Sequence, residues 1–178
     1  MRLPAYPLIT CDPYFSIWSR SEHLHDSDTV LWSGNAKPIR GAAEIDGEAF
    51  RFLGLGADPA MEQTALDVAP YITTYTFEAA QVRLVVRFWT PLLLDDLHQL
   101  SLPVSFIDCT FEPLDDRVHQ VAVSLTLDEA FCYDGKPKSC VFFTQNAYGR
   151  PFAVMGQIKQ KPLSDGRRNA RWLGLAHH

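Results

Sequence analysis

The sequence predicts an all-β protein, an antiparallel β-sandwich. Three observations carry this. Apolar residues recur with a period of two rather than 3.6 almost everywhere. Prolines and glycines punctuate the apolar runs at short intervals, at Pro91, Pro103, Pro113, Gly135, Pro137, Gly149 and Pro151. No stretch of ten or more residues presents a helical face. Many short strands with turn chemistry between them fit packed sheets.

The elements follow in chain order. Thr10 to Ser19 reads TCDPYFSIWS, a first strand with its lead-in. Pro13 fixes φ and lacks an amide donor, which suits a strand entry. Phe15 and Ile17 then share one face, and Tyr14, Ser16 and Trp18 the other. Ile39 to Leu53 forms two strands around Asp46-Gly47, a pair that tolerates the two positive φ angles of a type I′ turn. In that register Ala43 faces Phe50 and Gly41 faces Phe52, so large rings lie over small partners. A second hairpin spans Tyr71 to Trp89 and turns near Ala79-Ala80-Gln81. Its second strand puts Val82, Leu84, Val86 and Phe88 on one face.

Further strands are expected at Val104 to Phe111, Val118 to Leu127, Cys140 to Thr144 and Phe152 to Lys159. Val121, Val123, Leu125 and Leu127 form an apolar stripe on the second of these. Residues 1–160 therefore read as one β-sandwich module, incomplete or extended at its C-terminal end. Residues 161–178, with Pro162, Asp165 and Gly166, read as a loop, linker or terminal segment.

Composition narrows the function. The chain has 178 residues, 47% hydrophobic and 21% charged, enough for a globular core and too apolar for disorder. Its net charge of −5 argues against nucleic-acid binding, which needs a basic face. Only Arg167, Arg168 and Arg171 cluster, and they read as a solvated tail. No apolar run reaches the roughly 20 residues of a membrane span. Met1-Arg2-Leu3-Pro4 has no apolar signal core. The chain reads as cytoplasmic, or as secreted with a signal removed. Cys11, Cys109, Cys132 and Cys140 make no C-x-x-C pair, so a zinc knuckle is not indicated. Cys109 reads as a small core residue, and disulfides among the other three are possible but not implied.

Candidate chemistry is sparse. His23 and His25 would project to one side of an extended segment, and with Asp26 and Asp28 they could ligate a metal. A solvated polar loop is the alternative reading. Asp95 and Asp96 could be paired carboxylates, but neighbours on a strand point to opposite faces, which favours a turn after Leu94. Cys11 could be a nucleophile with His23 or His25 as base, yet no Gly-rich turn or helix N-terminus follows it. No residue is assigned a catalytic role, and no cofactor is implied. Trp18, Trp32 and Trp172 could stack on sugar rings if exposed, and could equally be core.

Several strings point to one family. Pro4-Ala5-Tyr6-Pro7-Leu8-Ile9-Thr10 and Asp12-Pro13-Tyr14-Phe15-Ser16-Ile17-Trp18-Ser19 resemble the N-terminal region of the glutaminase A-like family. The resemblance continues through Asp28-Thr29, Trp32-Ser33-Gly34, the Gly41 to Gly54 hairpin, Thr90 to Leu97 and Pro103-Val104-Ser105, and fades after about Phe131. It implies a β-sandwich joined in longer proteins to a C-terminal helical toroid like those of glycoside hydrolases, where the main catalytic carboxylates would lie. It also implies glutamine hydrolysis for the whole, with no family catalytic residue carried onto this chain. A histidine is common in the family where Cys11 stands here. The chain is accordingly expected to be a non-catalytic N-terminal module of a larger glutaminase A-like or glycosidase-like hydrolase. A helical catalytic domain would be its partner, with an exposed apolar patch where that domain docks, and a glycan or small amide the parent's substrate. The alternative is a free-standing carbohydrate-binding sandwich.

Overall fold

The computed structural model describes residues 3–12, 15–133, 136–147 and 149–159, and the backbone of 172–176. Pro13, Tyr14 and Gly135, to which the sequence gives roles, lie outside the described residues, as does the side chain of Trp172. The all-β expectation holds: the strands form several antiparallel sheets and no barrel. Two compact units follow one another, Met1–Thr126 and Leu127–His178.

The first unit begins with β1 (Tyr6–Asp12), β2 (Phe15–Ser19) and β3 (Val30–Leu31), joined in that order. The hairpin β4 (Ile39–Ile45) and β5 (Glu48–Leu53) forms a second sheet, with β10 (Val121–Leu127) on the far edge of β4. The third sheet is β6 (Glu62–Ala69), β7 (Ile72–Ala79), β8 (Val82–Trp89) and β9 (Phe106–Pro113). Tyr75, Phe77, Val82, Leu84, Val86 and Phe88 project inward from β7 and β8 and are buried. Phe52 of β5 tilts against Phe77 at 5.9 Å between ring centroids, and Thr73 Oγ1 donates to the Pro7 carbonyl at 2.7 Å. These contacts tie the other two sheets to the third. Ile17, Ile39 and Ile45 complete the core.

Both hairpins turn where the sequence places them. Asp46 (φ 52°) and Gly47 (φ 88°) make the first turn; Ala80 (φ 46°) and Gln81 (φ 60°) make the second without a glycine. Ala43 pairs with Phe50 as expected. Gly41 pairs with Leu53 instead of Phe52, because a β-bulge between Gly41 and Ala42 shifts the register by one. Other bounds move too: Thr10 to Ser19, read as one strand with its lead-in, is divided between β1 and β2, β9 begins at Phe106, β10 at Val121, and the strand expected from Phe152 begins at Arg150. The apolar stripe of β10 does not become core, since Val121 and Leu125 remain exposed on that edge strand. The sequence offered no strand at β6, which buries no residue.

The second unit opens with a 3₁₀ turn over Glu129–Cys132, capped by the Asp128 carboxylate, which accepts from Ala130 N at 2.9 Å. Its sheet is β11 (Cys140–Ala147), β12 (Arg150–Gln157) and β13 (Trp172–Ala176). Gln157 is buried and donates from Nε2 to the Cys132 carbonyl at 2.5 Å, anchoring the 3₁₀ turn to β12. The units divide at Thr126/Leu127, and β13 is a strand inside the segment that reads from sequence as loop or linker. All four cysteines are free thiols.

Candidate docking surface

The β8–β9 connection is clamped at its base. The Trp89 and Phe106 rings stack 4.4 Å apart, Trp89 Nε1 donates to Asp108 Oδ2 at 2.6 Å, and Thr90 Oγ1 meets Ser105 Oγ at 2.6 Å. Between these clamps the chain carries Leu92, Leu93, Leu94, Leu97, Leu102 and Val104, all exposed. Leu94 is 70% exposed and Leu97 76%. A single helical turn, α1 (Leu97–Leu100), lies among them and buries no residue.

That turn is held by local bonds alone. Asp96 is its N-cap: its Oδ1 accepts from Gln99 N and its Oδ2 from Gln99 Nε2, each at 3.0 Å. These bonds, the backbone one first, hold its carboxyl below the usual range. Ser101 closes the other end by donating from Oγ to the His98 carbonyl at 2.8 Å. Asp95 and Asp96 therefore sit in a turn, and Asp96 spends its acceptors on its own helix. A helix of four residues is far below the length that is stable in water by itself. This one is capped at both ends and displays leucine outward. Covering one such leucine would contribute roughly 1.5–3 kcal/mol.

A second feature lies on the first sheet. Trp18 pairs with Val30, and Trp32 N donates to the Ser16 carbonyl at 3.0 Å. Residues opposite one another project to one face, so Ser16, Trp18 and Trp32 share a face. Trp18 Nε1 donates to Ser16 Oγ at 2.8 Å. Trp32 is 56% exposed and Trp18 half-buried. Arg20 Nη2 reaches the Gly34 carbonyl at 3.2 Å, across the turn that follows Trp32. The structure thus brings together two of the three tryptophans singled out from sequence.

The histidine-rich loop forms a small polar cluster. His23 and His25 stack at 5.8 Å, nearly parallel, and Asp26 reaches both, at 3.3 Å from His23 Nδ1 and 3.7 Å from His25 Nε2. Burial holds the His25 pKa below its ordinary value, ahead of the opposing pull of Asp26. Asp28 has a buried Oδ1 with no hydrogen-bond partner. Among the described residues no three His, Cys, Asp or Glu side chains converge in a geometry that could hold a metal. Cys11 Sγ lies 3.8 Å from the Phe15 carbonyl, and burial pushes its thiol up, the opposite of an activated nucleophile.

Sequence reasoning passed over His119, which lies between Asp46 and Asp115. The spacing of Asp115 and His119 was visible; the approach of Asp46, from 73 residues away, was not.

Family models cover the chain on both sides of Phe131, where the resemblance read from sequence fades. Residues 1–66 match a family described as a domain of unknown function, DUF4964, and residues 72–177 match a second, DUF5127. A glutaminase A of Aspergillus oryzae is 26% identical over 131 residues, which is 68% of this chain and 19% of that protein. The chain spans about a fifth of the length of this curated relative. No solved structure matches.

Proposed function

From a chain that belongs to the DUF5127 family, and that carries a DUF4964 region ahead of it, we propose a non-catalytic role as the N-terminal β-sandwich module of a larger glutaminase A-like or glycosidase-like hydrolase. The module packs against a C-terminal helical catalytic domain and supports it. One observation carries this reading: a clamped, capped segment displays six exposed apolar side chains around a helical turn that buries none. An exposed apolar patch of this kind marks an interaction surface. The small share of the Aspergillus relative that the chain covers leaves ample polypeptide to dock there.

The test compares this chain with its reading frame extended past the codon for His178. The chain alone is expected to release no ammonia from glutamine. Its hydrophobic-dye fluorescence is expected to fall when the extension is present. Ammonia release by the chain alone, a stop codon directly after His178, or dye binding indifferent to the extension would each defeat the proposal.

The shared face of Trp18 and Trp32 favours a second reading, a carbohydrate-binding sandwich. Two indoles flanking a hydroxyl, with a guanidinium nearby, offer both a stacking surface and polar partners for a sugar ring. Tryptophan fluorescence would shift on adding oligosaccharides, and Trp32→Ala would abolish the shift. Silence across a broad panel ends this reading.

A further inference from the structure

His119 is held between two carboxylates from different parts of the first unit. Its Nδ1 lies 2.6 Å from Asp46 Oδ2, in the β4–β5 turn, and its Nε2 lies 2.9 Å from Asp115 Oδ1, in the β9–β10 loop. Ionised carboxylates only accept, and a neutral imidazole has one N–H. Two carboxylates can be served at once only by an imidazolium. The His119 side chain is 10% exposed, so its charge is answered by these partners more than by water. Arg117 is the other charge at the cluster: its backbone N donates to Asp115 Oδ1 at 3.1 Å and its Nε stands 3.9 Å from Asp115 Oδ2.

The same turn grips the residue before β10. Asp46 N donates to the Gln120 carbonyl at 2.9 Å, and Gln120 N donates to Asp46 Oδ1 at 2.8 Å. Asp46 therefore holds His119 and Gln120 together, immediately ahead of Val121. No residue of β10 is buried, so little hydrophobic burial holds this strand in place. Its ties to the rest of the unit include the sheet edge shared with β4, Ser124 Oγ donating to the Ala42 carbonyl at 3.4 Å, and the Asp46–His119–Asp115 bridge at its start.

We propose that His119 is a pH-gated latch: as an imidazolium it pins the start of β10 to the β4–β5 turn, and on losing its proton it lets one carboxylate go and frees the strand. The directions of titration agree. Hydrogen bonds from Asp115 first and Asp46 second raise His119 above its ordinary 6.5. The His119 hydrogen bond is the leading cause lowering both Asp46 and Asp115 below 3.8. A raised imidazole contributes its full stability below 6.5 and loses it as pH rises through the raised value. The depressed carboxylates contribute theirs above 3.8 and lose it as pH falls through their lowered values. The latch is complete between those limits.

The test is a pH titration of the whole chain by NMR, following the His119 ring and the β10 amides together. Protection of β10 is taken relative to the intrinsic exchange rate of each amide at the same pH, which removes the intrinsic pH dependence of exchange. His119 is expected to titrate above 6.5, and Asp115→Asn to lower that value. Relative protection of β10 should fall about tenfold for each unit by which His119 exceeds 6.5. His119→Gln should remove the dependence, with Asp115→Asn as the second variant if His119→Gln folds poorly. A His119 that titrates at or below 6.5, or a β10 whose relative protection is flat from acid to alkaline pH, overturns the proposal.

Discussion

The ring of Phe52 occupies the space that a side chain at Gly41 would need. A Cβ built on Gly41 would stand 2.5 Å from Phe52 Cζ and 2.7 Å from Cε2, with Leu53 Cβ at 3.0 Å. Phe52 is fully buried and cannot swing aside into solvent. Gly41→Ala is therefore an overpacking change at a bulge, and such changes cost about 1–3 kcal/mol. The urea midpoint should fall with the slope unchanged. An unaltered midpoint would mean that the ring yields freely.

The two hairpin turns invite opposite substitutions. Gly47, at φ 88°, has nothing within 4 Å of a built Cβ, so Gly47→Ala meets only the backbone cost of a left-handed alanine, about 1–2 kcal/mol. Ala80 and Gln81 already bear that cost, at φ 46° and 60°. Ala80→Asn with Gln81→Gly should relieve it and stabilise by about 1 kcal/mol, after the entropy that glycine adds to the unfolded chain. Thermal unfolding of the two variants beside the parent checks both signs. A destabilised Asn-Gly turn would contradict the assignment.

Cysteine reactivity should follow burial. Burial pushes the Cys109 thiol up to about 11, and the neighbouring Asp108 carboxylate adds to the shift. At pH 8 about one molecule in a thousand then carries the thiolate that alkylating agents attack. Mass-mapped labelling with iodoacetamide should leave Cys109 unmodified in the native protein and modify it after denaturation. Rapid native labelling at Cys109 would show that β9 opens readily.

The legible part of the fold was the part whose pattern reports burial. Val82, Leu84, Val86 and Phe88 alternate in sequence and are all buried. Asp46-Gly47 announces its turn because few other pairs accept two positive φ angles. β6 gave no signal because it buries nothing, and the alternation on β10 misled because an edge strand can carry apolar residues outward. The Gly41 register was displaced by a bulge, which leaves no local mark. The candidate surfaces divide in the same way. The leucine run was visible as composition, while its exposure is set by tertiary packing that composition does not report. The approach of Trp32 to Ser16 depends on a two-residue strand, too short to read from the chain.

The leucines of the β8–β9 connection supply the sharpest separation of folding from docking. Leu94 and Leu97 are the most exposed of that group, so replacing both with serine removes almost no buried surface. Exposed substitutions of this kind lie within about 0.5 kcal/mol of neutral. The Asp96 cap and the Ser101 closure do not involve either side chain and should keep α1 in place. Leu94→Ser with Leu97→Ser should therefore unfold at the parent's urea midpoint and bind markedly less hydrophobic dye. In a protein that carries the downstream domain, the same pair should weaken the union of the two parts, seen as faster proteolysis between them. If the pair instead lowers the unfolding free energy by about 2 kcal/mol or more, far outside the neutral range, the leucines belong to the core of this chain and the docking surface must lie elsewhere.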